Sequence, residues 1–383
     1  MTIRIPIAKP ELGEPEWQAV RAVIESGWVT QGPKVAELER ALAELCEVPH
    51  AVAVSSCTTA LHLALLCAAV GPGDEVIVPS MSYIATANAV VYAGATPVFA
   101  EVDAQTFNLD LDDVRRRITP RTKAILLVHQ LGLPADIDAF ATLAAERSVQ
   151  LVEDAACAIG SRYRGRPIGC HSELVCFSFH PRKVITTGDG GMITTRSAAH
   201  AARLRTLRQH AMSVPDTVRH AAAQIVRESY PEIGYNYRMT DVQAAMGVEQ
   251  LKRLPGIVAR RRELAHRYDG AFQDDATIQT PIVPEGVEWN VQSYAVRLRG
   301  FDASRRDAVM QALLDQGIAT RAGVMTAHRE PAYVLRGRVS LPVSEAASDG
   351  SLVLPLYGGL TIDDQDEVVA ALQQAVRNTT KGQ

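Results

Sequence analysis

The chain has 383 residues, of which 47% are hydrophobic and 21% charged, so it is long enough to bury a large core in two or three domains. Its formal net charge of -4 gives it no overall attraction to nucleic acid or to an acidic membrane surface. The sequence has neither a long apolar run typical of a membrane span nor the apolar core of a signal peptide. The six cysteines lack the spacing of a zinc site, so we expect a metal-free cytoplasmic protein with reduced thiols.

The N-terminal part is predicted to be helical. Apolar residues recur at helical spacing over residues 14–26, and Gly27 follows as a stop signal. The turn-rich segment 28–33 comes next, and a second amphipathic helix follows over residues 35–45. A loop of this kind either connects two helices tightly or forms part of a pocket wall, and the sequence leaves both interpretations open.

From residue 51 onward, short apolar strands alternate with helices. This alternation predicts an α/β fold in which a mostly parallel central sheet is sandwiched between helices. Ligands of such sheets bind at the carboxyl ends of the strands. The predicted strands are residues 51–54, 75–78, 96–99, 124–128, 150–153, 174–178 and 192–195.

The C-terminal third is predicted to form a smaller α+β domain. Pro255 and Gly256 are expected to break the chain, and a helix over residues 257–272 is expected to lead out of the large domain. Three consecutive arginines in that helix, Arg260 to Arg262, are interpreted as a solvated face. The elements predicted after it are strands at 291–298 and 318–321 and helices at 305–314 and 363–376. We therefore expect a large domain of residues 1–255 and a small domain of residues 256–383.

One lysine is unusual because of its neighbours in the sequence. Lys183 follows the apolar strand that ends at Ser178 and precedes a segment rich in threonine and glycine. A lysine that has lost its solvent becomes less basic, and it can act as an amine nucleophile or hold a carbonyl compound as a Schiff base. From this segment alone, a turn lysine without a chemical role is an equal alternative.

Three other strand ends carry polar or aromatic groups. Residues 55–59 lie between a strand and a helix N-terminus, a place that suits a phosphate, although hydroxyls there also cap helices without any ligand. Asp154 ends a buried strand, where a carboxylate either faces a cationic ring nitrogen or caps the next helix. Tyr83 either stacks on a flat cofactor ring or packs against the protein. Together with the amine of Lys183, these groups describe a site for pyridoxal 5'-phosphate (PLP).

The chain resembles the DegT/DnrJ/StrS family of sugar aminotransferases, PLP-dependent enzymes that share fold type I with aspartate aminotransferase. The likeness covers nearly the whole length and depends on several motifs in the order found in the family. The motifs are residues 25–33 (ESGWVTQGP), 73–80 (GDEVIVPS), 85–88 (ATAN), 94–98 (GATPV), 153–156 (EDAA), 177–179 (FSF) with Lys183, and 234–239 (GYNYRM).

The resemblance implies a role for each site residue. Lys183 would hold PLP as a Schiff base and move a proton between cofactor and substrate carbons, and Asp154 would face the ring nitrogen. Tyr83 would stack on the ring, and Cys157 stands beside it, where many relatives have histidine or glutamine. The phosphate would be held by Thr58, Thr59 and Ser178 and, from the neighbouring subunit of a homodimer with a shared active site, by Asn236.

The resemblance also implies a reaction. An amino group would pass from an amino acid, with L-glutamate as the expected donor, to a keto group of a nucleotide-linked deoxysugar. A cyclitol ketone (an inosose) is the alternative substrate, and a PLP-binding regulator without turnover is the alternative class. A dehydratase of the same family is disfavoured, because those enzymes replace the lysine with histidine. By position in the resemblance, substrate contacts are predicted at Trp28, Thr30, Arg321 and His328.

Overall fold

A seven-stranded sheet forms the centre of the protein in the computed structural model, which describes residues 2–214, 224, 225, 227–335 and 337–381. All seven predicted strands are present. They are β1 (His50–Val54), β2 (Glu75–Pro79), β3 (Thr96–Ala100), β4 (Thr122–Val128), β5 (Gln150–Asp154), β8 (Leu174–Ser178) and β9 (Gly191–Thr195). Their order is β1-β9-β8-β5-β4-β2-β3, and every pair is parallel except the two that β9 makes with β1 and β8. The prediction of a mostly parallel sheet is therefore confirmed.

Helices cover both faces of this sheet. They are α1 (Glu14–Ser26), α2 (Pro33–Leu45), α3 (Cys57–Cys67), α4 (Ala85–Tyr92), α5 (Leu111–Arg117), α6 (Ile137–Arg147), α7 (Ala198–Leu207) and α8 (Asp241–Phe272). Along β4, Ile125 and Leu127 enter the core under α2, α6 and α8, whereas Ala124 and Leu126 enter the core under α3, α4 and α7. Because successive strand residues point to opposite faces, a strand covered on both sides is apolar at every position.

Helix α8 connects the central sheet to the C-terminal part of the chain, and it corrects one prediction. It runs for 32 residues without interruption, so the expected break at Pro255 is wrong. A proline inside a helix costs about 3 kcal/mol. Packing outweighs this cost, because Leu254 and Ile257 are buried against the central sheet while Tyr268 and Phe272 are buried in the C-terminal core. The division of the chain into domains after residue 255 stays a prediction.

The C-terminal part contains a four-stranded antiparallel sheet with the order β10-β12-β14-β13. The predicted strand at 318–321 is shorter than expected: Ile318 only bridges to Ile5, and the strand itself starts at Arg321. Strand β14 was not predicted, although its apolar run between Gly350 and Pro355 is a usable signal. The strands are β10 (Ile278–Gln279), β12 (Tyr294–Leu298), β13 (Arg321–Ala322) and β14 (Ser351–Leu354), and the helices are α9 (Ala303–Leu314), α10 (Pro331–Val334), α11 (Pro342–Asp349) and α12 (Ile362–Lys381).

A separate three-stranded sheet of very short strands was also missed from the sequence; two of its strands come between β5 and β8 in the chain, and the third precedes β12. It consists of β6 (Arg162–Tyr163), β7 (Arg166–Pro167) and β11 (Val287–Glu288).

Among the described helices, none combines the length and the apolar character needed to span a membrane.

The carboxylate of Asp241, at the first residue of α8, holds the beginning of α2. It is 1% exposed and accepts hydrogen bonds from the backbone N–H groups of Gly32 (2.8 Å), Lys34 (3.0 Å) and Val35 (2.9 Å). The first N–H groups of a helix have no partner within the helix, and an anion there also interacts favourably with the helix dipole. A residue far away in the sequence therefore fixes the loop of residues 28–33.

We expect Asp241→Ala to lower the free energy of unfolding by about 3 kcal/mol, because two buried N–H groups and one part-buried N–H group lose a charged acceptor. Urea unfolding followed by circular dichroism measures this change. Asp112→Ala is the matched control, since Asp112 is an exposed acid in the first turn of α5 and its loss should change the value by less than about 0.5 kcal/mol. Equal effects of the two substitutions would contradict the capping role.

Candidate active site

Lys183 lies just beyond β8, at the edge of the sheet where the parallel strands end. Its side chain is half-buried, and its Nζ atom lies 3.0 Å from Sγ of Cys157, which follows β5. Burial lowers the pKa of Lys183, but Cys157, Cys57 and Asp154 raise it by more, so the net shift is upward. The expectation of a less basic lysine is therefore wrong, because the acidic groups around the amine outweigh its loss of solvent.

Asp154 ends β5, and two donors fix its carboxylate. The Oδ1 atom accepts the N–H of Ala156 (3.1 Å), and Oδ2 accepts the hydroxyl of Thr86 (2.9 Å). The side chain is 4% exposed, and burial raises its pKa, although the two hydrogen bonds and the nearby charge of Lys183 act in the opposite direction. An oriented, buried carboxylate of this kind is stabilised by a cationic group placed against it, such as a protonated ring nitrogen.

Thr86 is a site residue that sequence reasoning missed. It is 2% exposed, and its single hydroxyl proton is donated to Asp154, so Ser82 must donate the hydrogen bond that joins the two hydroxyl oxygens at 2.8 Å. Ser82 belongs to the loop after β2 that carries Tyr83. The chain of hydroxyls thus links that loop to the Asp154 carboxylate. Thr86 lies within the ATAN motif, which was the available signal.

Glu153, the acid that precedes Asp154 in the sequence, has a partner of its own. It is fully buried, and its Oε2 atom lies 2.9 Å from Nε2 of His129. Because Nδ1 of His129 accepts the N–H of Ala135, the ring proton is on Nε2 and is donated to Glu153. Burial raises the pKa of Glu153, but its interaction with His129, chiefly the hydrogen bond, opposes burial and the net shift is downward. Glu153 is therefore a structural acid, and only Asp154 remains for chemistry.

The predicted phosphate site lies at the N-terminus of α3. Ser56 caps this helix: its hydroxyl accepts the N–H of Thr59 (3.2 Å), and the Thr59 hydroxyl accepts the N–H of Ser56 (3.1 Å). Gly191 pairs with Ser178 in the sheet and lies so close to Ser56 that a Cβ atom would collide with the Ser56 carbonyl. Ser178 and the first turn of α3, which contains Thr58, are thereby brought together. Capping and anion binding are compatible here, because the helix dipole favours both.

The side chains of Tyr83 and Arg321 interact through their charges, and their predicted roles toward cofactor and substrate stay predictions. Tyr83 is 62% exposed. The pKa of Arg321 is lowered by burial and by the positive charge of Arg182, while Tyr83 acts in the opposite direction. Arg182 immediately precedes Lys183 in the chain. The Arg321 side chain, from the C-terminal sheet, therefore lies within range of the charges of Arg182 and Tyr83.

The structure corrects the predicted role of His328. The side chain is 3% exposed; Nδ1 is hydrogen bonded to the hydroxyl of Ser80, and Nε2 lies 3.0 Å from Oε1 of Glu345. The pKa of Glu345 is lowered by the backbone N–H of Leu341 and by the hydrogen bond with His328. Neither ring nitrogen is left for a substrate. His328 instead connects the segment after β13 with the residue that follows β2.

The remaining predicted residues are at the surface or close to it. The half-buried Trp28 donates its Nε1–H to the carbonyl of Gln31 (3.1 Å), and the exposed Thr30 accepts the N–H of Asp241 with its carbonyl (3.0 Å). Their loop is thus a tight connector, and contact with a substrate stays a prediction.

Asn236 has an exposed side chain in the segment that runs beside the predicted phosphate site, where the carbonyl of Tyr237 accepts the N–H of Ser55 (2.8 Å). Its donation to a neighbouring subunit also stays a prediction.

Two polar residues of the C-terminal part support the site and were not predicted. Asn290 is fully buried and donates from Nδ2 to the carbonyls of Cys157 (2.8 Å) and Ile159 (2.7 Å). Gln292 donates from Nε2 to the carbonyl of Arg182 (2.8 Å). The backbone on both sides of the Lys183–Cys157 contact is therefore fixed by one short segment of the C-terminal part.

Val291, between these two residues, has an unusual backbone conformation. Its φ is 52°, a region that β-branched residues rarely adopt. Arg261 of α8 holds this conformation, since its guanidinium donates to the carbonyls of Val291 (2.9 Å) and Gln292. Arg261 is 5% exposed, so the predicted solvated face is wrong at this position. Tertiary contacts therefore hold Val291 in a strained backbone conformation. Its two neighbours, Asn290 and Gln292, both form hydrogen bonds with backbone carbonyls beside the site.

PLP fits this set of residues. The α3 N-terminus and the hydroxyls beside it could hold the phosphate, the buried carboxylate of Asp154 could face the ring nitrogen, and Lys183 could supply the amine. The fold and the site therefore define a PLP-dependent aminotransferase of fold type I. The model of the DegT/DnrJ/EryC1/StrS aminotransferase family matches residues 10–373, and the chain belongs to this family.

Solved structures of related proteins match nearly the whole chain. The putative sugar aminotransferase Spr1654 from Streptococcus pneumoniae, in its PMP form, is 30% identical with a TM-score of 0.93, covering 98% of this chain and 100% of that one. The aminotransferase TlmJ from Streptoalloteichus hindustanus is 38% identical with a TM-score of 0.91 and the same coverage of both chains. DesV from S. venezuelae, in complex with a ketimine intermediate, is 35% identical with a TM-score of 0.88, covering 98% and 99%.

Proposed function

We propose that this enzyme transfers an amino group from L-glutamate to a keto group of a nucleotide-linked deoxysugar. The observation that carries the proposal is that the charge of Arg321 interacts with the charges of Arg182 and Tyr83, while Arg182 directly precedes Lys183 in the chain. Arginine binds phosphate oxygens in a bidentate manner, so this pair suits the diphosphate of a nucleotide sugar. An uncharged inosose would leave both charges without a partner. The names of the similar solved proteins, which include a sugar aminotransferase, support the same substrate class.

When bound, PLP supplies an electron-withdrawing ring that stabilises negative charge on the substrate carbon. The residues of this chain would provide the rest of the chemistry. Asp154, oriented by Thr86 and Ala156, would keep the proton on the ring nitrogen. Lys183 Nζ would attach the cofactor and, once an amino donor has displaced it, would move the proton at the substrate carbon. The first turn of α3 and Ser178 would hold the phosphate, which fixes the ring relative to both groups.

We further propose a homodimer in the cytoplasm, with Asn236 reaching the phosphate site of the neighbouring subunit. Exposed large apolar side chains on the single chain support an interface: Trp17 is 56% exposed, Ile24 60% and Tyr92 57%. Cytoplasmic location is supported by six cysteines that are all unpaired. Sedimentation velocity of the purified enzyme tests the dimer, and Asn236→Ala should lower the affinity for PLP without changing the sedimentation coefficient.

A panel of acceptors tests the substrate class. The enzyme is first converted to its aminated form with L-glutamate, then mixed with nucleotide keto-sugars or with inososes, and the return of the original visible absorbance is recorded. We expect return with a nucleotide keto-sugar. Return with an inosose alone would overturn the proposal in favour of a cyclitol substrate. An absorbance that no amino donor changes would indicate a regulator without turnover.

We expect Arg321→Ala to raise the KM for the nucleotide sugar about 10- to 100-fold with little change in kcat, because a charged hydrogen bond made throughout the reaction is lost. Steady-state kinetics at saturating L-glutamate measures this change. The matched control is Arg299→Ala, an exposed arginine that donates to the carbonyl of Ala276 in the C-terminal part. An unchanged KM in the Arg321 variant would exclude the proposed contact.

A further inference from the structure

The contact between Lys183 and Cys157 brings two nucleophiles together. Their Nζ and Sγ atoms are 3.0 Å apart, and both residues are half-buried rather than fully enclosed. The contact is held from the backbone as well, since Asn290 binds the carbonyl of Cys157 and Gln292 binds that of Arg182. The geometry therefore fixes a thiol against the amine that the cofactor requires.

We propose that Cys157 and Lys183 form a reversible covalent cross-link when hydrogen peroxide reaches the site while the lysine amine is free. The cross-link is a direct Sγ–Nζ bond, a sulfenamide. It makes this pair an oxidative modification site that competes with PLP for the same nitrogen. The competition with PLP rests on the proposed function, because it requires that Lys183 attach the cofactor. The Sγ–Nζ bond itself needs neither cofactor nor substrate.

The chemistry takes place in two balanced steps. In the first, the sulfur of Cys157 attacks peroxide, the O–O bond breaks, and sulfenic acid and one water are formed. In the second, Lys183 gives up its ammonium proton to solvent and the resulting neutral amine attacks that sulfur, the S–O bond breaks, and the hydroxyl leaves as water with a proton from the amine. The sulfur is oxidised by two electrons and the peroxide is reduced. The product lacks two hydrogen atoms relative to the starting protein, and a dithiol reverses it.

Cys157 is the cysteine best suited to this reaction. The other five cysteines are buried, whereas Cys157 is half-buried. Burial raises the pKa of Cys57 and of Cys176 well above the ordinary value, which keeps them as unreactive thiols. Cys57 is the nearest competitor, because its charge interacts with both Cys157 and Lys183. A disulfide between Cys57 and Cys157 is therefore the product that the experiment must distinguish.

The test uses the full chain, freed of PLP by dialysis with an amino donor, and treats it with hydrogen peroxide. Intact mass and peptide mapping should show a loss of two hydrogen atoms and a peptide containing residue 157 joined to one containing residue 183. Dithiothreitol should reverse both. The cross-link should be lost in Cys157→Ser and in Lys183→Gln and retained in Cys57→Ser. A peptide joined through residues 57 and 157, or oxidised Cys157 with Lys183 unlinked, would overturn the proposal.

The same experiment on PLP-loaded protein separates this inference from the proposed function. We expect loading to prevent the cross-link, because the cofactor occupies the lysine nitrogen. If the cross-link forms equally in loaded protein, the modification site stands, and the role of Lys183 in attaching PLP is refuted. If the cross-link never forms but L-glutamate still changes the visible absorbance, the aminotransferase stands and this inference is refuted.

Discussion

Lys183→Ala is expected to lower the rate of transamination by at least about 10³-fold, the range of a lost general acid–base group. In the proposed mechanism, the substitution removes the amine that would attach PLP and the group that would move the proton at the substrate carbon. The fold should be kept, since the side chain is half-buried and its hydrogen bond to Cys157 is the one it makes among the described residues. Single-turnover kinetics with L-glutamate, followed by visible absorbance, measures the loss.

A matched control and a rescue experiment make this prediction specific. Lys252→Ala should leave the rate unchanged, because Lys252 is an exposed residue of α8 paired with Glu249. Adding a small primary amine to the Lys183 variant should restore part of the rate, since a soluble amine can replace the missing base. Wild-type turnover in Lys183→Ala would remove Lys183 from the mechanism.

Asp154→Asn is the substitution with the second large expected effect: we expect roughly a 10³-fold lower rate, typical of losing one preorganised electrostatic contact. The amide has nearly the same shape, so packing is retained, but it carries no charge to keep a proton on the ring nitrogen. Rapid-mixing kinetics with L-glutamate measures the half-reaction. Thr86→Val is the graded control, because it removes one hydrogen bond from the carboxylate and should cost only about 1 kcal/mol in activation free energy.

Asp154→Asn should lower activity but raise the stability of protein freed of PLP. Burial raises the pKa of Asp154 in the folded state, so this residue's contribution to stability is present below the ordinary aspartate pKa and is lost as the pH rises through the raised value. An asparagine does not ionise and avoids that loss. Thermal unfolding midpoints should therefore favour Asp154→Asn increasingly from mild acid to neutral pH. A difference that shrinks over that range would contradict the raised pKa.

Local sequence patterns determined most of the central fold and the chemistry of the site. Each of the seven strands was predictable, because a strand covered on both faces needs an uninterrupted apolar run and turn residues bound it. The carboxyl ends of parallel strands meet at one edge, so the positions of Asp154 and Ser178 at the ends of their strands, and of Tyr83 in the loop after β2, already predicted that they lie at the same edge. Lys183 was recognisable because no charged helical face surrounds it.

Only the tertiary structure decided which polar groups meet across long distances in the chain. Packing at both ends carries α8 through Pro255 and buries Arg261, which in turn holds the strained Val291. Nothing local marks Asn290 as a partner of Cys157, or His328 as a buried link to Ser80. A sequence pattern records whether a residue is buried and on which face of its own element. The partner of a buried polar group is set by whichever element packs against it, and that choice depends on the whole fold.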